Sequence, residues 1–403
     1  MPSTRRHILT LAGGIAAGTV LSSGAANAMA ASGDTDWPMA RYDAAGTGAH
    51  PTVSGPKDDV SVAWRFAQSD YTGRPVPPIL LDGTLYAVHG GLVALNCATG
   101  AIQFERAGEY QSSLARAAAS IYTTDTLAVA GSNSVLGLNA GGGIGLPGLD
   151  LAIGVQRWTG PRTAGGGFFG PPQSVQPVSV DGRVYAAPAR TGTVVALEAN
   201  DGSVIWQARP GAESPGSREF NRPAVANGAV FVTSWPYQVT ALETDSGTQR
   251  WQRDLSEQMV LAPVATDAGL VVQTRSGVSL LDTTDGTPLW EQSLDANATD
   301  GMPAVAGGRI YLADNQGSLH ARDLASGESL WTTEFTGETA PVVADGVVYA
   351  VETNHSLVAI DAESGDQRFS YQPEVPPLSA PVVGEDTVFL ATGDSILALE
   401  ADE

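Results

Sequence analysis

From Pro177 onward the chain alternates short apolar runs with polar turns in a fixed rhythm. "PVSVDGRVYAA" begins at Pro177, "PAVANGAVFVT" at Pro223, "PAVAGGRIYLA" at Pro303 and "PVVADGVVYAV" at Pro341. Each reads as two β-branched, apolar runs split by a glycine turn, which is the pattern of a β-hairpin. Each is followed by a second phrase, A-x-[DE]-x-x-x-G-x-x-x-W. It fits at Ala196/Glu198/Gly202/Trp206, Ala241/Glu243/Gly247/Trp251 and Ala321/Asp323/Gly327/Trp331. Leu280/Asp282/Gly286/Trp290 fits with one change, while Ala359 to Phe369 and Ala94 to Phe104 end in Phe. A looser copy holds Gly137 and Asn139, with eleven extra residues before Trp158, and a truncated copy at Ala398 and Glu400 runs off the end.

The prolines opening successive units, from 177 to 381, lie 46, 40, 40, 38 and 40 residues apart. A period near 40 with four short strands per unit predicts a propeller. One unit is strand A ("APVVAD"), strand B ("VVYAV"), strand C ("LVAID") and strand D ("QRF"). The expected fold is all-β, an eight-bladed β-propeller of four-stranded antiparallel blades. The last unit lacks a D strand. The stretch "SVAWRF" around Trp64 is a D strand ahead of the first unit, and it would close the ring and remove open edges. The repeated phrase is architecture. Its Trp needs a flat neighbour, which small Ala and Gly positions of the adjacent blade can supply, and its acid can accept turn N–H groups.

Charge changes the picture. Lys plus Arg is 21 against 43 Asp plus Glu, a net −22, and Lys57 is the single lysine. Such acidity argues against nucleic acid as a partner and suits a protein hydrated in concentrated salt. Cys97 stands alone, so internal disulfides and cysteine-based metal sites are excluded. Arg5-Arg6 before the weakly apolar Ile8 to Leu21, then A-N-A and A-M-A, predicts a twin-arginine signal over residues 1–30. An extension over 31–61 and the propeller over 62–403 follow. The expected location is exported, extracellular or at the cell surface. The expected form is a monomer that does not span a membrane.

The A-x-D-x-x-x-G-x-x-x-W signature resembles the tryptophan-docking motif of the quinoprotein-like (PQQ-repeat) propellers, across residues 62–400. "WPMARYDAAGTG" from Trp37 resembles the N-terminal box of small secreted members. The family holds calcium- and quinone-dependent dehydrogenases and the cofactor-free scaffold BamB. Thr233-Ser234-Trp235 resembles the dehydrogenases' Thr-x-Trp, whose Trp stacks on the quinone. Their vicinal disulfide cannot form here, and no calcium cluster or catalytic Asp aligns. The resemblance therefore implies a non-catalytic scaffold without cofactor. A PQQ- and calcium-dependent dehydrogenase and a glycan- or polymer-binding module are the alternatives.

Other motifs fail on context. "GIGLPG" at Gly143 carries Pro147 and precedes a strand pattern, and "DANATDG" at Asp295 has Ala306 where a calcium loop needs Glu. His50, His89, His320 and His355 lack ligand spacing. Asn297 and Asn354 begin glycosylation sequons. Arg322 replaces the apolar residue of the other units and needs a partner.

The D–A and B–C loops share one face of the ring. The D–A gaps after Trp158 and Trp206 are 19 and 17 residues, against 10 to 13 after later aromatics. From Arg157 to Arg222 seven Arg face five acids. The candidate binding face is Arg162, Phe168, Phe169, Arg190, Arg209, Arg218, Arg222, Trp235 and Tyr237, suited to a protein or anionic surface ligand.

Overall fold

The structure is a computed structural model describing residues 35–67, 75–89, 91–132, 134–145, 152–162, 175–211, 219–235, 237–256, 260–298, 301–337, 340–353 and 355–402. The expected leader over 1–30 lies outside these residues. Seven blades run consecutively over residues 79–107, 115–162, 178–208, 224–254, 264–293, 304–334 and 342–371. Each is a four-stranded antiparallel sheet in A-B-C-D order. Blade eight takes A, B and C from Val382–Gly384, Thr387–Ala391 and Ser395–Ala401. Its D strand is Val60–Ala67, paired antiparallel with the C strand through Trp64↔Ala398 and Phe66↔Ile396. The ring is therefore closed by a strand that precedes blade one in sequence and completes blade eight.

Position in the blade explains composition. A strands are three residues long and, like the B and C strands, buried nearly throughout; in blade seven Val342–Ala344 and Val347–Val351 are fully buried. Both faces of these strands meet neighbouring blades, so the runs are continuously apolar. The D strands have a solvated side, and Ser329–Glu334 alternates exposed and half-buried residues.

The repeated phrase joins blades. Its alanine lies opposite its own tryptophan within one blade, as in Ala196↔Trp206 and Ala241↔Trp251, next to a register shift. The glycine belongs to the following blade: Trp158 lies on Gly202, Trp206 on Gly247, Trp251 on Gly286, Trp290 on Gly327 and Trp331 on Gly365. The alanine is thus not part of the neighbouring platform, a correction to the reading from sequence. Each indole also donates to a carbonyl of the next blade's turn, as Trp206 does to Thr244 at 2.7 Å and Trp251 to Thr283 at 3.0 Å. The turn acids behave as expected where they are short. Asp361 accepts from the N–H groups of Glu363 and Ser364, whereas the longer Glu243 pairs with Arg250.

The last junction is different. Blade eight ends without the phrase's glycine, and Phe369 offers blade eight no indole N–H. Residues 53–57 of the extension staple that seam. Ser54 O accepts from Asp386 N–H in blade eight, Pro56 O accepts from the Tyr349 hydroxyl in blade seven at 2.7 Å, and Lys57 pairs with Asp345.

Candidate functional site

The extension occupies the axis of the ring. Going from residue 37 to residue 48, its carbonyls accept from the inner strands in blade order: Trp37 O from Leu80, Pro38 O from Arg116, Ala44 O from Val225, Ala45 O from Ala265, Thr47 O from Val305 and Gly48 O from Val343. Ala49–His50 then adds a parallel strand to Val342–Ala344. The free edges of the A strands are thereby paired from inside. Trp37, Met39 and His50 are buried within this plug.

Its charges are buried too. Arg41 donates to Pro303 O at 2.6 Å and to Pro341 O. Asp43 accepts from the Gly46 and Thr47 N–H groups and the Thr47 hydroxyl. Burial, helped by nearby Arg222, pushes Arg41 down to about 9, with Asp43 opposing. Burial pushes Arg222 down to about 10, again against Asp43, and pushes the Asp43 carboxyl up. Gly46 is required at φ 81° because a side chain there would meet the Arg222 guanidinium. His50 sits in the same plug. Its Nδ1 accepts from Val53 N–H at 3.0 Å, so Nε2 carries the proton toward Asp36 O. Burial holds its pKa below the ordinary value.

Arg222 is therefore a correction to the expected binding face. It is 3% exposed and donates to Ala40 O, Asp43 O and Pro223 O, locking the extension into blade four. The Arg-Pro junction sits where loop enters the innermost strand, which carries its side chain to the axis. Phe168, Phe169 and Arg218 lie outside the described residues. Arg162 is exposed at the end of blade two's D strand, Arg209 is exposed in the D–A loop, and Arg190 is half-buried in the B–C turn of blade three.

Trp235 and Tyr237 are in the B–C turn of blade four, between Ala229–Ser234 and Gln238–Glu243, 64% and 37% exposed. The turn is anchored on both sides: Phe220 bridges Ser234, Asn221 N–H donates to Thr233 O, and Leu255 N–H donates to Tyr237 O. Two aromatic side chains thus stand in water on a backbone fixed from below, on the same face as Arg190 and Arg209.

Among the described residues no three His, Cys, Asp or Glu side chains converge on a common point. Cys97 has no neighbouring cysteine to pair with. Trp235 stands on the rim, and the axis is filled by residues 37–50. His320 bonds Asp314 at 2.8 Å and the Thr332 hydroxyl at 3.1 Å, apart from the other histidines. Arg322 finds the Gly327 carbonyl at 2.7 Å rather than a carboxylate, and burial lowers its pKa. The Asn297 side chain accepts from Arg275, and Asn354 lies outside the described residues. A cleft of about 230 Å³ between blades seven and eight is crossed by the ion pairs of Arg65 with Glu374 and Asp394. Among the described residues, no helix is long and apolar enough to cross a membrane.

A family model described as outer membrane protein assembly factor BamB matches residues 190–277 and 274–402, more than half of the chain. BamB of Xanthomonas campestris is 28% identical, the match covering 41% of this chain and 56% of that protein. BamB of Salmonella typhimurium is 31% identical over 40% of this chain and 56% of its own. The chain spans between about a third and just over half of the length of the first curated relatives it matches, 36% of the Yersinia pestis protein and 56% of the Xanthomonas one. Among solved structures, BamB from Moraxella catarrhalis has TM-score 0.63 at 14% identity, covering 85% of this chain and 100% of that one. A europium-containing methanol dehydrogenase has TM-score 0.72 at 12% identity, covering 92% and 98%. At these identities the likeness is one of fold.

Proposed function

The chain belongs to the PQQ-repeat family described as outer membrane protein assembly factor BamB, and on that premise we propose a non-catalytic scaffold that binds another protein through the B–C face of blade four. The observation that carries this reading is the exposed Trp235–Tyr237 pair on an anchored turn. Aromatic side chains supply large contact area at low entropic cost, and a pre-fixed backbone lowers the cost of association. Exposed Arg209 and Arg162 on the same side suit carboxylates of a partner. With Arg222 withdrawn to the axis, the local excess of arginine shrinks from two to one. The aromatics therefore carry affinity and the arginines orientation.

Export by the twin-arginine route and work at the cell surface complete the reading. Arg5-Arg6 and the small-residue motif before Ala31 support it. The protein works as a monomer and without PQQ or calcium.

The test compares capture by wild type with capture by Trp235→Ser/Tyr237→Ser from a native cell-envelope extract. Both side chains are solvent-exposed, so the melting temperature stays within about 1 °C, a surface substitution costing roughly 0.5 kcal/mol or less. Partner capture is lost. Retained capture by a folded double variant would place the surface elsewhere. Elution of wild type by a soluble oligosaccharide would favour a glycan ligand instead.

A further inference from the structure

The opposite face, built from A–B and C–D turns, carries a second surface at blade two. Within its C–D connection, eleven residues longer than in the other units, Ile144–Gly145 pairs antiparallel with Ala152–Ile153 as a short ribbon. Ile144 and Ile153 are direct cross-strand partners, so both project from one side of the ribbon, and they are 74% and 62% exposed. Gly145 and Ala152 form the other side, and Gly145 lies toward the Arg106 guanidinium of blade one. Gly145 is itself exposed and Ala152 half-buried, so the ribbon is wet on both sides and the isoleucine side is the bulky apolar one. A two-stranded ribbon is marginal on its own, and an apolar side is normally covered by a further element. Among the described residues this ribbon pairs with no other strand.

Its base is tied down and cationic. Arg106 donates from Nε to Gly142 O at 2.6 Å and lies over Phe104. Arg157 donates to the Thr124 and Thr126 hydroxyls and lies 4.0 Å over the Tyr122 ring. Tyr122 and Ile121, in the A–B turn of the same blade, are exposed as well. Asn139 joins that turn to the ribbon, accepting from Thr124 and donating to Gly154 O. Neither guanidinium forms an ion pair within 4 Å among the described residues, although Asp125, itself paired with Arg116, attracts Arg157 from further off, in a chain of net −22.

We propose that the ribbon of blade two is a docking edge for an extended acidic segment of a partner protein, which adds a strand, lays apolar side chains on Ile144 and Ile153 and presents carboxylates to Arg106 and Arg157. Strand addition satisfies the open backbone groups, and alternate side chains give selectivity. The complementarity is local. The rest of the surface is anionic and would repel such a segment, so the two arginines beside the isoleucines set where it lands.

The experiment uses the full chain and two fluorescein-labelled peptides, Glu-Val-Thr-Val-Thr-Val-Glu and the same peptide with lysine for both glutamates, read by anisotropy at 0.15 M salt. Overall charge alone favours the lysine peptide. Docking at the ribbon favours the glutamate peptide, by tenfold or more. Ile144→Ser/Ile153→Ser, which touches only solvent-facing side chains, lowers that affinity at least tenfold with an unchanged melting temperature. Trp235→Ser leaves it unchanged, which separates this surface from the blade-four face. Equal or tighter binding of the lysine peptide overturns the proposal, as does undiminished binding by the isoleucine variant or loss of binding in Trp235→Ser. A wild-type dimer in sedimentation that the isoleucine variant dissociates, with no peptide bound, overturns it in favour of a second copy of the chain.

Discussion

Replacing Gly247 by alanine tests whether the tryptophan–glycine contacts hold the blades together. Gly247 has φ 68°, and a Cβ there would lie 2.5 Å from Cε3 and 2.7 Å from Cδ2 of Trp206. Carbon atoms prefer about 3.5–4.0 Å, so the indole must retreat by roughly 1 Å. That movement pulls Nε1 away from Thr244 O, now 2.7 Å distant. A buried donor left without its acceptor costs about 1–3 kcal/mol, and alanine in the left-handed region costs a further 1–2 kcal/mol or so. The expected total is about 2–5 kcal/mol. Gly346 supplies the control, because it has φ 75° and a methyl group there would meet nothing within 4 Å. Gly346→Ala carries the backbone cost alone, about 1–2 kcal/mol. Equilibrium urea unfolding of both variants in one buffer gives the difference, with slopes checked for equality. Equal losses for the two variants would refute an inter-blade role for the contact.

Three further outcomes follow from the fold. Removing residues 60–67 opens the edge of blade eight and unfolds the ring cooperatively in a thermal scan; a deletion melting within about 2 °C of wild type, the scale of a 1 kcal/mol or smaller change, would overturn the closure. His50 has a folded pKa lowered by burial. Its contribution to stability is therefore full above the ordinary value near ~6.5 and is lost as pH falls through the lower folded value. Urea midpoints fall from pH 7 toward pH 5, and His50→Asn shows a shallower fall; equal pH slopes would remove His50 from the account. If the acidity is an adaptation to salt, the melting temperature rises from low to molar KCl, and a flat or falling curve rejects it.

The blades were legible because most repeat Pro, Gly and an aromatic at fixed offsets, and the orphan strand at Trp64 because the last unit shows no D strand of its own. The axial plug was not. Residues 37–50 follow no period, since a segment that meets six of the inner strands in turn, through backbone carbonyls, places few demands on side-chain pattern. Arg222 was misplaced for a related reason. An arginine before a proline in a long loop looks like a surface residue, and two carbonyls of the extension, some 180 residues away in sequence, join that of Pro223 in making its burial tolerable. Ile144 and Ile153 were hidden by their setting, because two isoleucines among glycines read as a loop until their pairing puts them on one side of a ribbon. Trp235 and Tyr237 stand between two strand patterns, and the structure places both in the B–C turn of blade four.

The plug and the split blade also fix an order of events in making the protein. Trp37 emerges from the ribosome before any of its partners, and the strands that receive residues 37–54 appear one after another up to Asp386. At about 5–20 residues per second, that interval is on the order of tens of seconds. Over that interval the plug's partners arrive piecemeal, Leu80 for Trp37 and Ala115 for Met39 first, while the strand around Trp64 has nothing to pair with. Contacts spanning 293 to 300 residues, such as Tyr349 with Pro56 and Arg41 with Pro341, form only once blade seven is out, and the pairing of Val60–Ala67 with Ser395–Ala401 comes later still. The entropy of closing so long a chain comes due in one late step, which makes folding slow whatever the stability of single blades. A nascent chain halted before Ser395–Ala401 keeps the strand around Trp64 unpaired, so closure of the ring waits for the C strand of blade eight even when the plug has already met the earlier blades.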